Sequence, residues 1–175
     1  MSARGAMAKI SPPTAKGRGP TDMSLTVEEV SADTPDVARL IAAHVAASRL
    51  HYDVEDCHTL DGAAMAETDT RLFAAIEEGQ VLAIAGLKPI GPVAVELKSM
   101  FADEAARGRG IAKRLLAQVL ERARDMGARE VFLEAGTDAY AAPARALYKA
   151  AGFETTPPFG TYVAREASTF MRLGL

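Results

Sequence analysis

The residues best suited to chemistry lie in the run Arg107-Gly108-Arg109-Gly110-Ile111-Ala112. Glycine has no Cβ, so a backbone carrying two of them can approach a ligand closely and adopt conformations closed to other residues. The run stands between a strand-like segment and a segment of helical periodicity. The first N–H groups of a helix have no intrahelical partner, and the helix dipole adds partial positive charge there. Such a loop can hold an anion, a phosphate above all, without a basic domain around it. It is not a Walker A loop, because no G-x-x-x-x-G-K-[ST] string is present. Nor is it a dinucleotide fingerprint, because Lys113 stands where G-x-G-x-x-G needs its third glycine. The plain alternative is a tight strand-to-helix turn with no ligand.

Other candidates are single side chains. In the strand read over 93–101, alternation places Ala94, Glu96, Lys98 and Met100 on one face. A central strand seldom carries two charges on one face without a use for them. Glu96 can take a proton or hold a water, and Lys98 can meet a carboxylate. The plain alternative is a Glu96–Lys98 ion pair near a strand edge. Glu134 is a second proton acceptor. His44 falls on an apolar helix face and reads as a core residue. Cys57 is the only cysteine, which excludes an internal disulfide and a multi-cysteine zinc site. The adjacent Asp56 disfavours a thiolate. His51, Cys57 and His58 lack zinc-ligand spacing, so no metal is expected.

The elements that must position these residues begin at Leu25. A strand around Leu25–Val30 precedes a helix that opens at Thr34-Pro35, with Thr as cap and Pro in the first turn. Residues 51–59 are loop-like, and a short helix is expected near 60–67. Strands over 71–77 and 81–90 flank Glu78-Gly79, a hairpin turn. The strand over 93–101 follows Gly91-Pro92. Then the period changes: Ile111, Leu115, Val119 and Met126 mark a helix that Gly127 ends. A strand over 129–135, a short helix over 142–151 and two strands near 153–155 and 168–173 complete the chain. The order β-α-α-β-β-β-α-β-α-β-β makes an α/β (α+β) sheet with helices on both faces.

Composition narrows the function classes. At 175 residues the chain suits one core. Its 49% apolar and 25% charged residues match a soluble globular domain rather than a disordered chain. Residues 1–22, rich in Pro and Gly, read as a flexible basic tail before one domain over 23–175. Residues 1–20 hold four basic groups and no acid, leaving −7 on the remainder of a chain that totals −3. An acidic body argues against binding nucleic acid. No signal-like apolar stretch opens the chain, and the densest apolar run, Val81–Leu87, is too short to span a bilayer. A cytoplasmic protein without membrane contact is expected.

Arg107, Gly110 and Ala112 fit the pattern R-x-x-G-x-A. Downstream, Ala146-Leu147-Tyr148-Lys149-Ala150-Ala151-Gly152-Phe153 places a Leu-Tyr pair before a Gly-Phe. Upstream lies Glu96-Leu97-Lys98-Ser99-Met100-Phe101, and between them Leu133-Glu134-Ala135-Gly136. In order and spacing this chain resembles the GNAT superfamily of acyl-CoA-dependent N-acetyltransferases, and within it a bacterial branch of small enzymes with poorly defined acceptors. The resemblance implies a mixed, mostly antiparallel sheet of six to seven strands, with about four helices on both faces. Its fourth and fifth strands would splay apart around acetyl-CoA, the co-substrate.

Carried over residue by residue, the resemblance implies that the backbone of Met100, Phe101 and Ala102 pairs with the pantetheine arm. The stretch Arg107, Gly108, Arg109, Gly110, Ile111 and Ala112 would hold the pyrophosphate, and Lys113 or Arg114 would reach the outer phosphate. Tyr148 would be the general acid that protonates the departing thiolate, and Glu96 the base. A backbone N–H of the fourth strand would stabilise the oxyanion. Acceptor contacts would come from His51, Tyr52, His58, Phe159 and Tyr162, with Lys98 for an acceptor carboxylate. The asparagine that many members carry after the fifth strand is absent; Thr137 or a backbone group would replace it. The implied reaction is acetyl transfer to a primary amine of a small amino-acid-like or cationic molecule, by direct attack in a ternary complex. A non-catalytic acyl-CoA-binding regulatory module and acetylation of a protein amine are the alternatives. Relatives are often dimers, so a homodimer is within the implied range.

Overall fold

The computed structural model describes residues 25–52 and 68–175. The expected tail over 1–22, the helix near 60–67, Cys57 and His58 lie outside them. In chain order the elements are β1 (Thr26–Val30), α1 (Pro35–His51), β2 (Arg71–Glu77), β3 (Gln80–Gly91), β4 (Ala94–Ala102), a 3-10 turn (Glu104–Ala106), α2 (Ile111–Asp125), β5 (Glu130–Gly136), α3 (Ala142–Ala150), β6 (Glu154–Thr156) and β7 (Ser168–Gly174).

Local chemistry accounts for several boundaries. Glu78 and Gly79 both take positive φ, at 50° and 77°, as a two-residue hairpin turn between twisted strands requires. Pro35 opens α1, but the Thr34 hydroxyl at its cap position makes no capping hydrogen bond. Gly127, at φ 82°, closes α2 in the left-handed conformation that glycine adopts most cheaply.

The strands form one sheet in the order β1-β2-β3-β4-β5-β7-β6. Among the described strands, only β4 and β5 run parallel. Apolar clusters cover both faces. On one side α2 packs Leu115, Leu116 and Val119 over Phe73, Leu87 and Val131. On the other, Val37, Leu40 and Ile41 of α1 meet Leu72, Ala74 and Ile84. Each such fully buried side chain contributes about 1.5–3 kcal/mol of transfer free energy. Central strands buried on both faces read as continuous apolar runs, which is why Val81–Leu87 has no polar interruption.

Two departures from regular pairing shape the middle of the sheet. First, β4 and β5 pair only over Ala94–Glu96 and Glu130–Phe132. Beyond that, β4 continues along β3 and β5 along β7, so the strands part. Second, β4 carries a bulge. Ile84 pairs with Phe101 and Gly86 with Lys98, so Ser99 and Met100 together face Ala85. Ser99 takes a φ of 51°, at a cost of about 1–2 kcal/mol for a residue with a Cβ. The extra residue corrects the expected alternation: Met100 packs against the α2 side and Phe101 against the α1 side. Glu96 and Lys98 therefore share their face with Phe101, not with Met100.

Candidate active site

A cavity of about 510 Å³ fills the gap where β4 and β5 part. Residues 96–102 of β4 form one wall and Glu134, Ala135 and Gly136 of β5 the other. Ala141, Ala144, Leu147 and Tyr148 close it from the α3 side, and Arg107 and Ala112 mark its end at the glycine loop. His44, Ser48 and Tyr52, spaced four apart along α1 and its C-terminal edge, line it from the opposite side.

The glycine loop is built by backbone conformation. Gly108 and Gly110 take φ of 71° and 73°, and an added Cβ at either would meet nothing within 4 Å. The glycines are there for the left-handed turn, not for space. Gly110 occupies the cap position of α2, so the first N–H groups of that helix open from the loop. Arg109 turns away to pair with Glu77. Arg107 pairs with Glu104 at 3.4 Å and reaches the cavity. Lys113 is exposed, and Arg114 donates to the Leu25 carbonyl at 3.4 Å.

Glu96 and Lys98 are both almost fully buried, with side-chain exposures of 4% and 8%. The Lys98 ammonium donates to Glu96 Oε1 at 3.1 Å and to the Tyr162 hydroxyl at 2.8 Å. Tyr162 in turn donates to Glu96 Oε1 at 2.6 Å. One carboxylate oxygen thus takes both bonds. Burial, and then the bond to Glu96, push the Tyr162 phenol above its ordinary range. Tyr162 arrives on the loop after β6, anchored by ring contacts of Phe159 with Phe132 and Phe170 at 5.0 and 5.9 Å. The ion pair expected as the plain reading exists, but at the centre of the sheet, where both charges are desolvated.

Tyr148 is 6% exposed and packs on Phe153 at 5.8 Å. Its burial pushes the phenol up and keeps it protonated. Glu134 accepts from Ser168 Oγ at 2.6 Å. Tyr52 donates to Asp138 at 3.0 Å, and Asp138 also accepts from the Ala141 N–H at 3.1 Å. Gly136 is what lets Tyr52 lie there: a Cβ would fall 2.0 Å from the Tyr52 hydroxyl. Arg145 ties the same corner by donating to the Gly136 and Asp138 carbonyls. Thr137 donates to the Glu166 carbonyl at 2.8 Å, which directs it to the neighbouring loop and not to the cavity.

Among the described residues, two buried side-chain polar atoms have no hydrogen-bond partner: His44 Nδ1 and Ser99 Oγ. Both residues line the cavity. An orphaned buried polar atom costs about 1–3 kcal/mol. The His44 ring lies 5.1 Å from Phe101, and its burial lowers the imidazole from 6.5 to about 4, so it is neutral at pH 7. By sequence pattern His44 belongs to the core, and neither Ser48 nor the Ser99 side chain carries a signal; a helix face lining a cleft has the same periodicity as one lining a core.

Of the sequence candidates, Glu96, Lys98, Met100, Phe101, Ala102, Arg107, Ala112, Glu134, Tyr52 and Tyr148 meet around this cavity. His51 does not line it; it stacks on Tyr140, which does, at 3.9 Å. Phe159 and Tyr162 are not among its lining residues; Tyr162 bonds to Glu96 and Lys98, and Phe159 packs on Tyr162.

Residues 37–153 match the model of the acetyltransferase (GNAT) family. The chain belongs to that family. An IAA acetyltransferase of Azospirillum brasilense is 35% identical to this GNAT chain over 127 residues, 69% of this chain and 78% of that protein. The uncharacterized N-acetyltransferase YsnE of Bacillus subtilis is 29% identical over 135 residues, 77% of this chain and 89% of that one. A GNAT family acetyltransferase from Elizabethkingia anophelis, solved with acetyl-CoA bound, shares the fold, with a TM-score of 0.66 over 89% of this chain and 100% of that chain at 17% identity. The GNAT fold fits the splayed strands and the parallel β4–β5 pair. Among the described residues, no helix is long and apolar enough to cross a membrane, and no group of three potential metal ligands occurs.

The residues present also fit acetyl-CoA in chemical type. The left-handed glycines and the start of α2 suit an anionic diphosphate. The inner edges of β4 and β5 leave backbone groups open to an extended amide-bearing arm.

Proposed function

We propose that this GNAT enzyme acetylates a primary amine of a small amino-acid-like or cationic molecule, with acetyl-CoA and amine bound together. The observation that carries this reading is the continuous cleft from the glycine loop at Arg107 and Ala112 to the buried Glu96–Lys98 pair. The thioester supplies an activated acyl group; a C–N bond forms, the C–S bond breaks, and the amine gives up a proton while the sulfur gains one.

Each proton has a candidate group on the wall. Glu96 Oε1 is occupied by Lys98 and Tyr162, so its second oxygen is the one that holds the amine or a bridging water. Tyr148, kept protonated by burial, is the donor facing the sulfur. A phenol at 10 or above and a thiol near 8.5 make full proton transfer to sulfur uphill by about 2 kcal/mol or more. Tyr148 therefore acts mainly by hydrogen-bonding the charge that grows on sulfur. Lys98 has a third N–H beyond its two bonds, which suits an acceptor that also carries a carboxylate. The acidic body favours approach of a cation.

Thermal stability with acetyl-CoA, CoA and ATP at matched concentration tests the cofactor. A ligand at 100 times its Kd stabilises by about 2.7 kcal/mol. Acetyl-CoA and CoA should shift the transition and ATP should not. An amine panel scored by thiol release then tests the acceptor class. No shift with CoA, or thiol release from no amine in the panel, overturns the reading.

A further inference from the structure

The bulge at Ser99 combines features that regular strand structure avoids. A residue with a Cβ holds a positive φ in the middle of a central strand. Its hydroxyl is buried without a partner among the described residues. The same residue lines the cleft between β4 and β5. Strain of this kind persists where the surroundings impose it, and it gathers at sites that bind or react. A buried orphan hydroxyl in a cleft wall points to a partner supplied by the ligand.

The position limits what that partner can be. Ser99 lies three residues beyond Glu96 on β4, about 10 Å along the strand at the usual rise. The glycine loop lies beyond the other end of β4. A ligand running from that loop to Glu96 passes Ser99 just before it reaches the proton acceptor. The reacting group of an acyl thioester belongs there, between the sulfur and the amine. Its carbonyl oxygen can only accept hydrogen bonds, and a serine hydroxyl can donate one.

Resting on the acetyl-CoA reading above, we propose that the Ser99 hydroxyl donates a hydrogen bond to the acyl carbonyl oxygen of the bound thioester. The enzyme then reads the acyl group itself, and not only the CoA that carries it. The bond strengthens as negative charge builds on that oxygen, so Ser99 is a catalytic residue as well as a binding one.

Three probes separate the terms: acetyl-CoA, CoA, and S-ethyl-CoA, a thioether of similar length with no carbonyl. Binding of each is measured by calorimetry to the full chain and to Ser99→Ala and Ser99→Gly. Glycine also relieves the positive φ, so that variant remains informative if alanine fails to fold. The wild type should prefer acetyl-CoA over S-ethyl-CoA. Both variants should lose that preference through an about three- to tenfold weaker grip on acetyl-CoA, with CoA and S-ethyl-CoA binding unchanged. Variants that keep the wild-type ratio of acetyl-CoA to S-ethyl-CoA overturn the assignment and leave Ser99 as a bulge residue only. Failure of the wild type to bind CoA overturns the cofactor reading and this assignment with it, and is seen before any variant is made.

Discussion

His44 gives a prediction that needs no knowledge of the substrate. Its imidazole is held neutral by burial, at about 4 in the fold against 6.5 when free. A depressed value means the folded state refuses a proton that the unfolded chain accepts. The associated stability is complete above pH 6.5 and drains away as pH falls from 6.5 toward 4. At pH 5 the loss is about 2 kcal/mol, and below pH 4 it levels off near 3 kcal/mol. His44→Phe keeps a ring against Phe101 and removes the titration. Urea unfolding at pH 8 and pH 5 is measured for both proteins. The wild type should lose about 2 kcal/mol more than the variant between the two pH values. At a urea slope of about 2 kcal/mol/M that is a midpoint difference of about 1 M. The Asp103 carboxyl, held below its ordinary range first by Arg39, stays ionised between these two pH values in both proteins and adds nothing to the difference. The charged groups on the same cavity wall, Glu96, Lys98, Glu134 and Arg107, are also common to both. Equal pH dependence of the two proteins would show that His44 accepts its proton without penalty, and that the cleft is wetter than its burial implies.

Other consequences follow from single contacts. Tyr148→Phe should lower turnover about 100-fold while leaving CoA affinity intact; near-full turnover would remove Tyr148 from the chemistry. Lys98→Met leaves a buried carboxylate without its ammonium and should cost about 3–5 kcal/mol in urea unfolding. Adding Glu96→Leu to it should recover part of that loss, and a double variant worse than Lys98→Met alone would mean that the pair is not coupled. Gly136→Ala drives a Cβ to 2.0 Å from the Tyr52 hydroxyl, so Tyr52 must leave Asp138, and stability should fall by about 1–3 kcal/mol; an unchanged melting temperature contradicts the packing. Gly110→Ala should cost about 1–2 kcal/mol through φ alone and weaken acetyl-CoA binding, as titration would read directly.

Much of the architecture was legible because hydrophobic period and breaker residues agree. Leu115, Val119 and Ala123 mark α2 by their spacing, Gly127 ends it, and Glu78-Gly79 closes a hairpin. The cleft was legible mainly through motif order around Arg107 and Tyr148. What the pattern concealed depends on contacts far apart in the chain. Serine carries no signal for a bulge, so the swap of Met100 and Phe101 between faces shows only when β4 is laid on β3. His44 shares its helix face with Ile41, and only the parting of β4 from β5 turns that position into a wall. Tyr162 meets Lys98 across 64 residues, a distance over which periodicity says nothing.

A sheet that divides in its middle has four borders rather than two. The outer pair, β1 and β6, are five and three residues long, too short to template long pairing with another chain. The inner pair is longer, but each inner border faces the other across a gap roofed by α1 and α3. Open backbone groups of this kind, on an outer edge, would invite aggregation. Enclosed here, they are available to a slender extended ligand and withheld from a second sheet. The same opening that would admit a cofactor arm thus keeps these unpaired strand borders out of reach of a second sheet.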